Sequence, residues 1–329
     1  MSDIGDRNDA TPILEIGGTH ATAAWVHPNG WLVSGLVRRG LDADGSAAGV
    51  IGDLARTAAE LDAPVGAHWG LAVPGPFDYE LGIARYAGVG KFDSLSGVDV
   101  RAALTEALPR RPGSISFVND ASAFLIGEWL TGAARGVDRC AAITLGTGIG
   151  SAFLDHGVVI DRGPQVPPQA EVHLLVHDGR PLEDWVSRRA IRRRYACAVG
   201  GSRAGGHADP SVGPDAPGAA EPSGGLDVDE IARLARSGHA IAAGVLDEAF
   251  ELLGRLIRPW LRSFGAEVLV VGGSVSRSWD LVEPPLLAGL SSTSGQSVPT
   301  VRLARHPERS PLVGAAYPAI TRSREGSAD

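Results

Sequence analysis

The sequence predicts an α/β protein built from two related lobes, on the basis of three observations. A strand, a glycine turn and a second strand follow one another over residues 13–26 and again over residues 141–154. Apolar runs typical of strands alternate with helical patterns in both halves of the chain. With 329 residues and 44% hydrophobic content, the chain can bury substantial cores, and its length favours two domains over one.

The first hairpin joins strands predicted at residues 13–16 and 21–26 through Gly17, Gly18 and Thr19. Adjacent glycines let backbone N–H groups converge on an anion, and the Thr19 hydroxyl lies beside them. A Gly-Gly pair is also an ordinary hairpin turn. The pair alone therefore leaves two interpretations, a structural turn and a phosphate site.

Further strands and helices are predicted before the middle of the chain, with strands at residues 31–37 and 68–73 and helices at residues 46–61 and 98–108. The strand at 68–73 ends in Pro74, Gly75 and Pro76. Two prolines around a glycine fix the chain, which suits the wall of a pocket but is common in plain loops as well.

A strand predicted at residues 115–118 ends at Asn119 and Asp120, and residues 121–130 follow as a helix. A carboxylate at the junction of a buried strand and a helix is held rigidly, as general-base chemistry requires. Asn and Asp are also ordinary helix caps, so capping by Asp120 is the competing interpretation.

The second hairpin has strands at residues 141–145 and 149–154 around Gly146, Thr147 and Gly148. Because the same unit occurs once per half, it suggests two related lobes that close on a phosphate ligand. A later strand at residues 267–271 runs into Gly272 and Gly273, a geometry in which a backbone meets a nucleotide, although this signal is weak alone. Helices are predicted at residues 228–236, 241–264 and 312–316, whereas residues 198–225 are rich in Gly, Ala, Pro and Ser and predict a flexible insertion.

Five polar residues fall within thirteen positions in the second half, namely Glu171, His173, His177, Asp178 and Glu183. Histidines and carboxylates are zinc ligands, but this spacing matches no closed zinc site. We therefore interpret these residues as lining a polar pocket.

Composition and charge argue against several classes of protein. A net charge of −8 argues against a nucleic-acid surface, and the arginines at 188–194 follow the spacing of a solvated helix face. Neither a signal peptide nor a membrane span is evident. Only Cys140 and Cys197 are present, which excludes a disulfide framework and fits a reducing cytoplasm.

In this order, the segments resemble the ROK family of sugar kinases, which share the actin-like ATPase (ribonuclease H-like) fold. The resemblance covers nearly the whole chain and rests on six motifs: residues 14–20 and 145–150 for phosphate, 73–76 for the sugar-domain loop, 118–121 for the catalytic base, 271–274 for adenosine and 314–316 for the closing helix. No single motif is decisive, but six in the family's order argue against coincidence.

The resemblance implies a smaller lobe from residues 1–130 with 305–329, a larger lobe from residues 131–304 that includes the insertion, and a ligand cleft between them. It implies a MgATP-dependent hexose kinase acting on the 6-hydroxyl of a glucose-like sugar. Asp120 would be the general base. The implied sugar ligands are Asn119, Asp120, Glu171, His173, Glu183 and Gly75, and the implied nucleotide contacts are Gly17, Gly18, Thr19, Gly146, Thr147, Gly148, Gly272 and Gly273.

This chain departs from the family pattern at three places. Glu15 stands where the family usually has Asp, so Glu15 would make at most an indirect contact with Mg²⁺. His173 follows Glu171 by two residues instead of three, and the family's Cys-rich zinc loop is missing. We therefore expect no zinc. A homodimer is compatible with the sequence but not indicated by it.

Two alternatives stay open. The family also contains sugar-responsive transcriptional regulators, but only about a dozen residues precede the first strand, too few for a helix-turn-helix domain. A catalytically inactive sugar-binding protein is the other, kept open by Glu15. For the substrate, Asp178 near Glu171 and Glu183 favours an amino-hexose such as kanosamine, whereas Asp178 in a solvated turn favours glucose.

Overall fold

The computed structural model describes residues 9–203, 225–291 and 298–325. The chain divides into two compact units, unit 1 with Met1–Gly136 and Arg305–Asp329, and unit 2 with Val137–Ala304. The predicted boundary at residue 130 falls within a helix, and the division follows Gly136 instead. Within the described residues, no helix is long and apolar enough to cross a membrane.

The described residues form strands and helices in alternation. The strands are β1 (Thr11–Ile16), β2 (His20–His27), β3 (Leu32–Gly40), β4 (His68–Val73), β5 (Phe77–Asp78), β6 (Ile83–Ala84), β7 (Ser114–Asn119), β8 (Arg139–Leu145), β9 (Ile149–Asp155), β10 (Val158–Val159), β11 (Val176–His177), β12 (Arg180–Pro181), β13 (Val268–Gly272) and β14 (Thr300–Leu303). The helices are α1 (Ala47–Ala59), α2 (Val100–Ala107), α3 (Asp120–Thr131), α4 (Glu183–Val186), α5 (Arg188–Arg203), α6 (Val228–Arg236), α7 (Ala240–Phe264), α8 (Trp279–Leu290) and α9 (Ser310–Glu325).

The two units are built on the same sheet topology. Unit 1 has the strand order β3-β2-β1-β4-β7, and unit 2 has the order β10-β9-β8-β13-β14. In each sheet the first three strands along the chain are antiparallel neighbours and the last two pair in parallel. Each unit also has its own hydrophobic core. The prediction of two related α/β lobes is confirmed.

In both units a pair of helices crosses at glycines. A methyl group on Gly314 of α9 would lie 1.8 Å from the Ala123 carbonyl oxygen of α3. One on Gly289 of α8 would lie 2.1 Å from the Glu251 carbonyl oxygen of α7. Because any side chain at these positions would strike the facing backbone, glycine is what lets each pair pack so closely.

The C-terminal segment of unit 1 is fixed by a buried carboxylate. Glu128 of α3 accepts N–H groups from Ala133, Arg305 and His306 at 2.7, 3.0 and 2.9 Å, and the Ser310 hydroxyl at 2.7 Å. Glu128 is fully buried. Four donors satisfy this carboxylate, which therefore joins the two chain segments of unit 1.

Most predicted elements are present, with differences at their edges. β1 begins at Thr11, two residues before the predicted strand, and residues 198–203, assigned to the insertion, form the end of α5. The rest of that insertion, residues 204–224, lies outside the described residues, as do residues 1–8. After Gly273 the chain enters a 3₁₀ helix over Ser274–Ser278 before α8 begins.

Candidate active site

The junction of β7 and α3 presents the predicted catalytic carboxylate. Asn119 is the N-cap of α3, because its Oδ1 accepts the N–H groups of Ala121 and Ser122 at 3.0 and 3.2 Å. Asp120 is the first helical residue, and its Oδ1 also accepts the Ala121 N–H, at 2.8 Å. Capping by Asp120 is thus the wrong interpretation, since Asn119 performs it.

The surroundings of Asp120 favour its protonated form. Desolvation raises the pKa of the carboxyl, and the backbone N–H of Ala121 opposes that rise. More than a third of the residue nevertheless remains exposed. Solvent therefore weakens the effect of desolvation on the pKa of this carboxyl. Asp120 therefore combines an accessible carboxylate with an increased affinity for a proton, as a general base needs.

Glu15 is a second carboxylate in the same unit, half-buried near the end of β1. Burial and the charge of Asp120 raise the pKa of Glu15 from 4.5 to about 7; Glu308 adds to the rise and Arg38 opposes it. Because two nearby carboxylates resist joint ionisation, Glu15 holds its proton near neutral pH unless a cation is present.

The first glycine turn, residues 17–19, joins β1 to β2 beside Glu15. The Gly17 N–H donates to the His20 carbonyl oxygen at 2.9 Å, which closes the turn. Within the described part of the chain, the N–H groups of Gly18 and Thr19 have no acceptor. Thr19 is exposed, and its hydroxyl lies 2.9 Å from His20 Nδ1. The turn therefore offers two N–H donors and a hydroxyl to a ligand.

Two tyrosines that sequence reasoning missed support the Pro74–Gly75–Pro76 loop. The Asn119 amide donates to the Tyr79 hydroxyl at 2.9 Å, and the Tyr86 hydroxyl donates to the Pro74 carbonyl oxygen at 2.7 Å. A methyl group on Gly75 would lie 3.4 Å from the Tyr79 oxygen and 3.8 Å from the Asn119 amide nitrogen. Gly75 and Asn119, both predicted sugar ligands, are thus brought together. In the sequence, the feature that could have indicated these contacts is the presence of two tyrosines shortly after the Pro-Gly-Pro loop.

The second glycine turn, residues 146–148, lies in unit 2. Its Gly146 N–H donates to the Gly148 carbonyl oxygen at 3.0 Å, and the Arg188 N–H donates to the Gly146 carbonyl oxygen at 3.0 Å. A methyl group on Gly148 would lie 2.4 Å from Glu183 Oε1. The structure therefore places Glu183, the first residue of α4, directly against this turn.

Glu171 and His173 lie in a segment of short 3₁₀ helices. The Ser151 hydroxyl donates to the Ala170 carbonyl oxygen at 2.5 Å and accepts the Val172 N–H at 3.0 Å, which fixes the backbone on both sides of Glu171. His173 lies inside the 3₁₀ helix Val172–Leu174. Glu171 is the N-cap of this helix and has an extended backbone, with φ −92° and ψ 91°.

Asp178 occupies the tip of the β11–β12 hairpin. Its φ is 48°, its side chain is 74% exposed, and its Oδ2 lies 3.5 Å from Nε2 of the adjacent His177. This position agrees with a solvated turn. An amino-hexose as the substrate stays a prediction.

Gly273, directly after β13, has a structural reason to be glycine. Gly273 has φ 88°, and a methyl group there would lie 2.3 Å from the Leu145 carbonyl oxygen. Its missing side chain thus accommodates the end of β8, a different reason from the expected approach of adenosine. Contact of Gly272 and Gly273 with a nucleotide stays a prediction.

Comparison with known proteins supports the resemblance. The model of the "ROK family" matches residues 177–322, which is less than half of the chain. A glucokinase from Thermotoga maritima is 28% identical over 291 residues, covering 83% of this chain and 84% of that protein. The chain is therefore similar to the ROK family. The predicted resemblance is confirmed.

Solved structures share the fold of this protein. A ROK family glucokinase from Streptomyces griseus, in complex with glucose and AMPPNP, has a TM-score of 0.70 at 21% identity and covers 95% of this chain and 99% of its own. A ROK family transcriptional regulator, a homologue of the E. coli MLC protein, has a TM-score of 0.67 at 19% identity and covers 94% and 78%. The actin-like ATPase fold is thereby confirmed.

Metal binding by this protein has one candidate region. Within the described residues, no group of three or more His, Cys, Asp and Glu side chains is placed to hold a metal ion. Glu15 and Asp120 are nonetheless two interacting carboxylates beside a turn with exposed donors, and carboxylate oxygens suit Mg²⁺. Magnesium shared with substrate phosphates fits these residues. The expected lack of zinc stays a prediction, which elemental analysis of the purified protein tests.

Proposed function

We propose that this protein transfers the γ-phosphate of ATP to the 6-hydroxyl of glucose or a closely related hexose. Its similarity to the ROK family and to a glucokinase supports a sugar kinase. The single observation that supports the reaction best is Asp120, an accessible carboxylate with a raised pKa at a rigid strand–helix junction.

Asp120 is the proposed general base. Its Oδ1 accepts the Ala121 N–H, which leaves Oδ2 for the proton of the sugar hydroxyl. As the proton moves to Asp120, the sugar oxygen attacks the γ-phosphorus and the bond to the β–γ bridging oxygen breaks. Asn119, held by the helix cap and by Tyr79, keeps its orientation and positions a neighbouring hydroxyl.

Unit 2 contributes further sugar ligands in this proposal. Glu171 and Glu183 are half-buried, and their carboxylates accept hydrogen bonds from hydroxyl groups. His173, inside the 3₁₀ helix that Glu171 caps, is retained as a sugar ligand.

The phosphates are assigned to the two glycine turns, with Gly18 and Thr19 donating in unit 1 and Gly146, Thr147 and Gly148 in unit 2. ATP is the proposed donor because the Streptomyces griseus glucokinase was solved with AMPPNP. Bound Mg²⁺ would supply charge neutralisation on the phosphates, and Glu15 is the residue we assign to it. A cytoplasmic location, where ATP is abundant, is part of the proposal.

We propose glucose ahead of kanosamine as the substrate. The exposed position of Asp178 agrees with the solvated-turn alternative, which supports glucose. A coupled assay of ADP release over a panel of hexoses and amino-hexoses, including both sugars, tests the proposal. We expect the highest kcat/KM for glucose or a near relative. ADP release that no sugar stimulates would contradict a kinase, and would favour the regulatory or inactive members of the family.

A further inference from the structure

Lys91 is the only lysine of the chain, although lysine and arginine together number 30. Its ammonium group lies over the first glycine turn. A methyl group on Gly18 would be 3.0 Å from Lys91 Nζ and 3.6 Å from Lys91 Cδ. No motif in the sequence drew attention to this residue. The contact joins two segments of unit 1 that are about seventy residues apart in sequence.

Hydrogen bonds to backbone N–H groups anchor the loop on both sides of this lysine. The Asp93 carboxylate accepts the N–H groups of Val89 and Gly90, both at 3.1 Å. Phe92 is buried, and its N–H donates to the Ala43 carbonyl oxygen at 2.9 Å. The lysine side chain is therefore exposed on an anchored loop.

The charge of Lys91 is available to a ligand. Within the residues that the structure describes, no carboxylate lies close enough to form an ion pair with it. The same turn presents the N–H groups of Gly18 and Thr19 without acceptors in that part of the chain. An ammonium group and two backbone donors at one turn make a site for an anion with several oxygens, such as a phosphoryl group.

We propose that Lys91 contacts the transferring phosphoryl group of the nucleotide donor at the first glycine turn. This inference rests on the proposed function. During transfer, the sugar oxygen forms its bond to phosphorus, ADP leaves with the electrons of the broken bond, and Asp120 takes the hydroxyl proton. Lys91 keeps its own protons throughout and neutralises charge on the equatorial oxygens.

Amine labelling tests the contact without relying on catalysis. Because the chain has one lysine, its modification by trinitrobenzenesulfonate is read directly by mass spectrometry, with the N-terminal amine as the internal reference. We expect AMPPNP, and inorganic tripolyphosphate, to slow labelling of Lys91 several-fold, whereas adenosine leaves the rate unchanged. Equal rates with and without the two polyphosphates would overturn the proposal.

Variants test the role in transfer. In Lys91→Met, loss of a charge-assisted hydrogen bond should lower kcat/KM for ATP by about tenfold to a hundredfold. The KM for the hexose should stay the same, and Lys91→Arg should recover part of the loss. Arg56→Met, which removes an exposed charge from α1, is the matched control and should behave as the parent protein.

A kcat/KM for ATP in Lys91→Met equal to that of the parent would contradict the proposal. So would a loss that appears only in the KM for the hexose. The failure of the proposed function looks different, because the parent protein would then phosphorylate no hexose at all. In that case protection of Lys91 by tripolyphosphate would still decide whether the turn binds the anion.

Discussion

The two glycine turns occupy the same place in their sheets, yet they have different chemical surroundings. Two residues before the first glycine, unit 1 has Glu15 and unit 2 has Thr144, both half-buried between buried apolar neighbours. The charged side chain that touches each turn also differs. It is the ammonium of Lys91 at Gly18 and the carboxylate of Glu183 at Gly148.

This difference shows that the same glycine turn need not have the same function in both units. A cation beside exposed N–H groups strengthens the attraction of a turn for phosphate, whereas a carboxylate against the turn weakens it and offers an acceptor to a sugar hydroxyl. The first turn is therefore the stronger candidate for the transferring phosphate. Variants of both units test whether the reacting groups lie in unit 1 and the sugar carboxylate at the turn of unit 2.

The largest effect is expected for Asp120→Asn. The amide keeps the shape of the side chain but cannot accept the proton, so kcat should fall by about two to four orders of magnitude. Affinity for the hexose, measured by calorimetric titration, should change little. Asp53→Asn, which changes a half-buried carboxylate of α1 that pairs with Arg56, is the matched control. Near-normal turnover of Asp120→Asn would remove this residue from the mechanism.

A second large effect is expected on stability. Unit 1 joins two chain segments, whereas unit 2 is continuous. Glu128→Ala leaves four donors without their acceptor, and the free energy of unfolding should fall by at least about 3 kcal/mol. Urea titration measures the loss, with Glu106→Ala on the exposed face of α2 as the control. Equal stability of the two variants would show that Glu128 does not fasten the C-terminal segment.

Gly148→Ala tests the carboxylate at the second turn. The new methyl group would displace Glu183, whose Oε1 lies 2.4 Å from its position. If Glu183 holds the sugar, the KM for the hexose should rise about tenfold, the value of one hydrogen bond, with a smaller change in the KM for ATP. Gly244→Ala, which meets no atom within 4 Å, is the control. A rise confined to the KM for ATP would show that this turn binds phosphate and that Glu183 does not hold the sugar.

Glu15→Gln tests the acidic character of the first turn. Since folding raises the pKa of Glu15 from 4.5 to about 7, the folded protein binds the extra proton more tightly. The stability that this proton contributes is complete below pH 4.5 and is lost as the pH rises through 7. Relative to the parent, Glu15→Gln should therefore be more stable at pH 8 than at pH 5, by about 1 to 3 kcal/mol. A difference independent of pH would contradict the raised pKa.

Local patterns in the sequence predicted much of the fold. The hairpins around Gly17–Thr19 and Gly146–Gly148 are recognisable because strand pattern and turn residues are adjacent along the chain. The β7–α3 junction was predictable for the same reason, although the cap is Asn119 and not Asp120.

The details of the site depend on contacts between distant segments, which no local pattern reports. Lys91 meets Gly18, Glu183 meets Gly148, and Asn119 meets Tyr79, each across a wide gap in sequence. The choice between the two alternatives for Asp178 depended on the same kind of contact. Proximity in sequence to Glu171 and Glu183 does not imply proximity in space, and a tight hairpin places Asp178 at an exposed tip.

The most direct test of the central claim is the identity of the product. The protein, ATP, Mg²⁺ and glucose are incubated together, and the phosphorylated species are assigned by ³¹P nuclear magnetic resonance. Our account predicts glucose 6-phosphate and ADP in equal amounts, with Asp120→Asn producing neither at a comparable rate. Phosphate on a different hydroxyl, or inorganic phosphate alone, would contradict it.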